Sequence, residues 1–337
     1  MKSDLCKASI LIVILNFMCG DLRAQDSVGS ISAITPSDVY ARVQVLLDVV
    51  AQIRFLMGKS PAHPASFEVT NASPREVYYQ AFTLLKKANR LSFEIIRSQE
   101  PLPKMPGEKL QPGHVLQLVQ KSIEKLRLIS DHLGAQEKIN IKPLDSSKIP
   151  SDVFNAIATA NKELNNLLRH RFAPEDVYQQ VIQAISYSAI LLSQFPDTQR
   201  IPPEPDYIPG KQPRDVFYRL VDCFQNLRDI EEKSGYKILV LKKQASSNNM
   251  QQIESSDAYD IASLLVSELT FLHDRIPNAR TPVQAYHPGP KLPAHVFQRS
   301  GILVSQIKLL LEKAQANPDW IHSTSDSVLE ATPNQKQ

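Results

Sequence analysis

Ser73-Pro74-Arg75-Glu76-Val77-Tyr78 is the stretch from which the fold is read. Proline suits the first position of a helix, where a backbone N–H is not needed and φ is already set. Ser73 stands one residue earlier as an N-cap. Glu76 stands three residues after Ser73 and reaches back to the N–H of the cap, which completes a capping box. The carboxylate also meets the positive end of the helix dipole. Six residues therefore announce a helix start.

The same signal recurs along the chain. Thr35-Pro36-Ser37-Asp38-Val39-Tyr40 precedes it, and Pro112-Gly113-His114-Val115-Leu116 and Pro150-Ser151-Asp152-Val153-Phe154 follow. Pro174-Glu175-Asp176-Val177-Tyr178 and Pro213-Arg214-Asp215-Val216-Phe217 come next. A degenerate copy, Ser255-Ser256-Asp257-Ala258-Tyr259, precedes Pro293-Ala294-His295-Val296-Phe297. Successive starts are 38, 38, 38, 24, 39, 42 and 38 residues apart. One short step at the midpoint divides eight units into two groups of four. A row of carboxylate and histidine positions resembles a ligand set, but capping explains residue type and position together.

Apolar residues after each start recur at steps of three and four. Val77 is followed by Ala81, Leu84, Leu85, Ala88, Leu91 and Ile95; Val115 by Val119, Ile123, Leu126, Ile129 and Leu133. This spacing predicts one apolar stripe per helix. A helix of roughly 20 residues is marginal alone in water, so each needs neighbours to bury its stripe. The predicted fold is all-α: an eight-helix repeat bundle in two four-helix halves, with long proline-rich connectors. The expected divisions are a signal peptide at 1–24, a first half at 25–172, a second half at 173–316 and a disordered tail at 317–337.

The connectors are proline-rich. Pro101, Pro103 and Pro106 precede Gly107; Pro202, Pro203, Pro205 and Pro209 precede Gly210; Pro282 and Pro288 precede Gly289. Such segments favour extended polyproline geometry, at about 3.1 Å per residue. About 15 residues of it outreach a helix, so a connector can return to the end where the preceding helix began. Neighbouring helices can then be parallel. Only the short link before Pro174 forces an antiparallel pair. Tyr236-Lys237-Ile238-Leu239-Val240-Leu241-Lys242-Lys243 reads equally as a strand or a short helix. Three Pro-Gly turns are each followed by a lysine: Lys109, Lys211 and Lys291. Grouped at one bundle end, these would contact an anionic partner.

Composition narrows the function classes. The chain has 337 residues, 38 basic against 35 acidic, giving a net charge of +3, too small to imply nucleic acid. Its 10 glycines against 24 prolines leave little room for glycine-rich phosphate loops. Lys2 and Lys7, the apolar run from Ala8 to Met18 and the small Ala24 read as a secretory signal. Export to a periplasm or to the exterior is therefore expected, with no transmembrane span. Cys6 and Cys19 would leave with the signal, and Cys19 is an alternative lipidation site. Cys223 would remain alone as a small buried residue. None of the eight histidines falls in His-Glu-x-x-His, and Walker A, Gly-x-Gly-x-x-Gly and Gly-x-Ser-x-Gly motifs are missing. The aspartates and glutamates read as solvated helix faces. No catalytic residue, cofactor or metal ligand is assigned. The expected function is a non-catalytic binding or scaffold module for a protein or cell-envelope component. The alternative is a small-molecule or sensory module with a pocket between helices.

Overall fold

The computed structural model describes residues 34–63, 67–106, 109–136, 139, 143–243, 253–276, 278–283, 289–317 and 320. The expected signal segment with Cys6 and Cys19, the glycine Gly107, and the expected tail apart from Asn317 and Trp320 lie outside these residues. The described chain is all-α save for a two-stranded sheet. Its helices are α1 (Pro36–Leu56), α2 (Pro74–Ile96), α3 (Pro112–His132), α4 (Pro150–Leu167), α5 (Pro174–Leu192), α6 (Pro213–Lys233), α7 (Ser255–His273) and α8 (Pro293–Ala316). The strands are β1 (Phe67–Thr70) and β2 (Val240–Lys243). No described helix is long and apolar enough to cross a membrane.

Each helix starts where the motif stands. Asp38, Glu76, Asp152, Asp176, Asp215 and Asp257 each accept the backbone N–H three residues earlier, at 2.7–3.0 Å. His114 and His295 do the same through Nδ1, at 3.1 and 3.0 Å. Proline leads every helix except α7. These contacts satisfy donors that a helix end leaves open.

The helix directions follow from which ends meet. Pro36, Pro74, Pro112 and Pro150 line one small apolar recess with Val39, Val77, Val115 and Val153. The first four helices therefore start at one end and run parallel. Near their other ends, Ser130 Oγ of α3 donates to Gln52 Oε1 of α1 at 2.8 Å. Helices α1 and α2 each pack on α3 and α4, so each of these pairs sits on a diagonal. Helices α5 and α6 each pack on α7 and α8 in the same way. Arg299 Nε donates to the Tyr178 hydroxyl at 3.0 Å, and Gln306 Nε2 to the Ile185 carbonyl at 3.3 Å. These contacts match equal depths of α8 and α5, which are also parallel. Helix α2 joins the two sets by packing on α7. Arg75 meets Glu268, and Lys87 meets Asp260, so this pair is antiparallel. The helix starts of the two sets thus face opposite ways.

Three connectors run back along helices. Residues 60–63 and 67–72 lie along α4, in descending order. Asn166 donates to the Ser60 carbonyl at 2.8 Å, Asn155 exchanges two bonds with the Val69 backbone at 3.0 Å, and the Ala72 N–H donates to Ser151 Oγ at 3.0 Å. Residues 100–105 descend α2. Asn89 exchanges bonds with the Glu100 backbone at 2.8 and 3.1 Å, and the Tyr79 hydroxyl reaches Met105 Sδ at 3.3 Å. Ten helical residues rise about 15 Å. The five connector residues beside them thus advance about 3 Å each, the rise of polyproline II.

Residues 200–207 descend α8. Gln306 donates to the Arg200 carbonyl at 2.7 Å, and Gln298 to the Pro205 carbonyl at 2.9 Å. Gly301 lets Pro205 lie against the helix, because a Cβ there would stand 2.6 Å from Pro205 Cγ. An ordinary mid-helix Gly→Ala change stabilises by about 1 kcal/mol. At Gly301 overpacking of about 1–3 kcal/mol opposes it. Gly301→Ala is therefore expected to lower stability in urea unfolding, by up to about 2 kcal/mol. A stabilised variant would show that the connector yields freely.

Strands β1 and β2 pair antiparallel, with Phe67 opposite Lys243 and Thr70 opposite Val240. The lysine-flanked segment is thus a strand at Val240–Lys243. Phe67 and Val69 turn inward, and Phe67 lies 6.4 Å from both Phe154 of α4 and Phe217 of α6. Cys223 is buried in α6, and burial pushes its thiol up to about 12, which removes it as a nucleophile at neutral pH. Trp320 packs on Phe195, ring centroids 5.3 Å apart.

Candidate functional site

Helix α2 carries two buried faces. Val77, Ala81, Leu84, Leu85, Ala88 and Leu91 face the core of their own four-helix set. Glu76, Gln80, Thr83 and Lys87 form a second stripe at steps of four, three and four, and it too is buried. On α7, Asp257, Asp260, Ser263 and Ser267 are buried at steps of three, three and four. The seam between the two helix sets is therefore polar. The expectation that the acidic residues form solvated faces fails for Glu76, Glu231, Asp257, Asp260 and Glu268. Each sits on a helix closed on its second side by a neighbour from another part of the chain.

One end of the seam gathers three carboxylates around a guanidinium. Arg75 Nη2 lies 3.1 Å from Glu76 Oε1 and 3.8 Å from Glu231 Oε2, and it donates to Glu268 Oε2. The Arg75 guanidinium also lies 3.6 Å from the centre of the Phe271 ring, and that of Arg275 lies 3.3 Å from the same centre. Burial opposes the Arg75 charge, but Glu268, Glu76 and Glu231 outweigh it and hold its pKa above the ordinary value. Burial pushes the Glu231 carboxyl up to about 8, with Arg75 pulling against it. Glu268 is pushed well above the usual range, by burial first and by Glu231 next. Both oxygens of Glu231 and Glu268 Oε1 lack a hydrogen-bond partner other than the facing carboxyl group. Glu231 and Glu268 therefore behave as a pair sharing a proton at neutral pH.

The other end holds two lysines. Lys162 Nζ donates to Asp257 Oδ2 at 2.7 Å. Lys87 Nζ donates to the Asn161 carbonyl at 3.2 Å and lies 3.7 Å from Asp260 Oδ1. Burial lowers the Lys87 pKa against the pull of Asp260, and raises the Asp260 carboxyl to about 6 against the pull of Lys87. Asn161 Nδ2 is shared between the carbonyl and side chain of Gln80 at 3.2 Å. These groups are closed to solvent, so they fix register rather than act on a substrate.

Beside this end a cleft of about 900 Å³ opens. One wall is the outer face of α2, with Lys86, Asn89, Arg90 and Phe93; the opposite wall is α5, with Gln180 among its lining residues. Pro101, Leu102, Thr281 and Pro282 come from connectors, and Phe172, Tyr187 and Tyr259 also line it. Arg90 Nη2 donates to Asp176 Oδ1 at 2.9 Å, with its guanidinium 4.3 Å from the centre of the Phe172 ring. This pairs a residue of α2 with one of α5 across the cleft. Volume, aromatic lining and a few converging polar groups are the features of ligand sites.

The three turn lysines are not brought together. Lys211 Nζ stands 4.4 Å from the Phe297 ring centre, and Lys291 Nζ 5.1 Å from that of Tyr178, both at the starts of the last four helices. Lys109 lies before α3, where the helix starts face the other way. None of the three lines the cleft. Of its lining residues, Tyr259 closes the degenerate copy of the helix-start motif, where it reads as core, and Lys86, Arg90 and Gln180 belong to no motif, so sequence alone does not group them. The one local signal was the second helical stripe from Glu76 to Lys87, which a solvated face would show equally.

Comparison of the chain with protein-family models, with curated proteins and with solved structures finds no match.

Proposed function

We propose that the protein is a binding module and that its ligand occupies the cleft between α2 and α5. The observation that carries this reading is an inter-helix cleft of about 900 Å³ in which cationic, amide and aromatic side chains converge. We infer that the architecture supports it by repetition. The packing of α1–α4 recurs in α5–α8 four helices later, and the returns after α1 and α5 descend the matching helices α4 and α8. On this reading two copies of one four-helix unit, with proline-rich returns, are set against each other, and the cleft lies where they meet. The signal-like N-terminus leads us to propose that binding takes place outside the cytoplasm. The test is a thermal-shift screen of small polar and amphipathic compounds against the full chain. Hits should vanish in Gln180→Trp, which fills the cleft. Hits that persist in that folded variant place the site elsewhere.

A second reading is a protein or envelope component as partner. It is favoured by Phe93 and Leu102, which line the cleft yet leave 45 % and 37 % of their surface exposed. In that case Gln180→Trp abolishes partner capture. If Lys211 and Lys291 form the contact instead, reversing their charges abolishes capture and Gln180→Trp leaves it intact.

A further inference from the structure

Lys86 Nζ donates to the Tyr259 hydroxyl at 3.1 Å. It lies 5.2 and 5.9 Å from the ring centres of Phe82 and Tyr259. These rings favour a cation but do not neutralise it. Among the described residues Lys86 has no carboxylate within 4.0 Å, so its charge is uncompensated. The Tyr259 hydroxyl oxygen is already an acceptor, and its own proton finds no acceptor among the described residues. Tyr259 is buried at the cleft wall, where an unmade hydrogen bond is costly. Ammonium and hydroxyl together are a cluster of donors waiting for an oxyanion.

The other charges of the cleft cancel locally. Arg90 is paired with Asp176, and Glu100 with Lys125 at 3.0 Å. One uncompensated cation matches one negative charge. A dianion would bring a second charge with no counter-ion, and a neutral ligand would leave the ammonium desolvated without gain.

The same helix face sets a length. Phe93 follows Lys86 by seven residues, nearly two turns, so the two lie about 10 Å apart along α2. Phe93, with Leu102 across from it, gives that end of the cleft an exposed apolar surface. Asn89 lies between but is committed to the Glu100 backbone.

We propose that the cleft takes an organic monoanion: a carboxylate held by Lys86 and Tyr259, with an apolar end about 10 Å away on Phe93 and Leu102. This rests on the cleft being the binding site. The probes are phenylhexanoate, which has that span, phenylhexanol, which lacks the charge, and phenylacetate, which lacks the length. Calorimetry on the full chain should show phenylhexanoate binding more tightly than either of the others. Lys86→Gln should weaken it about tenfold to a hundredfold, and Lys86→Arg should retain most of the affinity. Tyr259→Phe should weaken it less, and Phe93→Ala should weaken phenylhexanoate but leave phenylacetate unchanged. Circular dichroism confirms that each variant is folded. If phenylhexanol binds as tightly as the acid and Lys86→Gln changes neither, the anionic anchor is overturned while the cleft stands. If neither long probe binds the wild type at millimolar concentration, this proposal is overturned, and the cleft reading stands or falls separately by the screen against Gln180→Trp.

Discussion

Arg75→Met destabilises the protein by about 3–5 kcal/mol in urea unfolding at pH 7, the cost of leaving a buried charge without its counter-ion. Glu76, Glu231 and Glu268 all turn toward this guanidinium. Methionine fills the space of the stem but offers no positive charge. The negative charge left on this carboxyl cluster is then buried without a counter-ion. The loss should shrink as pH falls toward 4, because protonated carboxyls need no counter-ion. An exposed ion pair would cost about 1 kcal/mol or less at any pH. A measured loss of that size would show that the seam is open to water.

Wild-type stability is expected to fall as pH rises from about 5 to about 8. The Glu231 carboxyl has an ordinary value of 4.5 and is held near 8 in the folded chain. Below 4.5 both states hold the proton, so the folded state keeps its full advantage. Between these values the folded state holds a proton that the unfolded state has released, and folding weakens with each step in pH. The loss is on the order of 3 kcal/mol across the window. Asp260, raised from 3.8 to about 6, acts in the same direction over the lower part. Lys87, lowered by burial, acts oppositely: its folded form is neutral where the unfolded lysine is charged, so it restores stability toward pH 10. Arg75, Glu76, Arg275 and Glu268 face Glu231, and of these Glu268 is the one whose proton it shares. Glu231→Gln keeps an amide donor for Glu268 and removes the titration. Chemical unfolding of this variant should fall less steeply than the wild type between pH 5 and 8, keeping the slope that Asp260 and Glu268 contribute, and at pH 8 it should match or exceed the wild type. A wild type that gains stability over the window would contradict a shared proton in the pair.

The two seam ends also explain why α2 and α7 meet in one register. Apolar contacts tolerate sliding by a turn, whereas Lys162 on Asp257 and Arg75 on Glu268 do so only by stranding buried charges. The net contribution of such pairs to stability is small, but the wrong register is costly.

The sequence by itself determined where helices begin. Thr35 with Asp38 and Ser73 with Glu76 act within four residues of chain, so nothing distant is needed to read them. It also determined why parallel neighbours are open to this chain, since a proline-rich stretch such as 100–106 stays extended without partners. Tertiary structure alone decided which stripe of α2 meets water. Glu76, Gln80, Thr83 and Lys87 have the spacing of a solvated face, and only the arrival of α7 from about 180 residues later buries them. The cleft depends on the same event. Lys86 and Tyr259 come within hydrogen-bonding distance through the antiparallel docking of two helices, a sum of many contacts that no local pattern encodes.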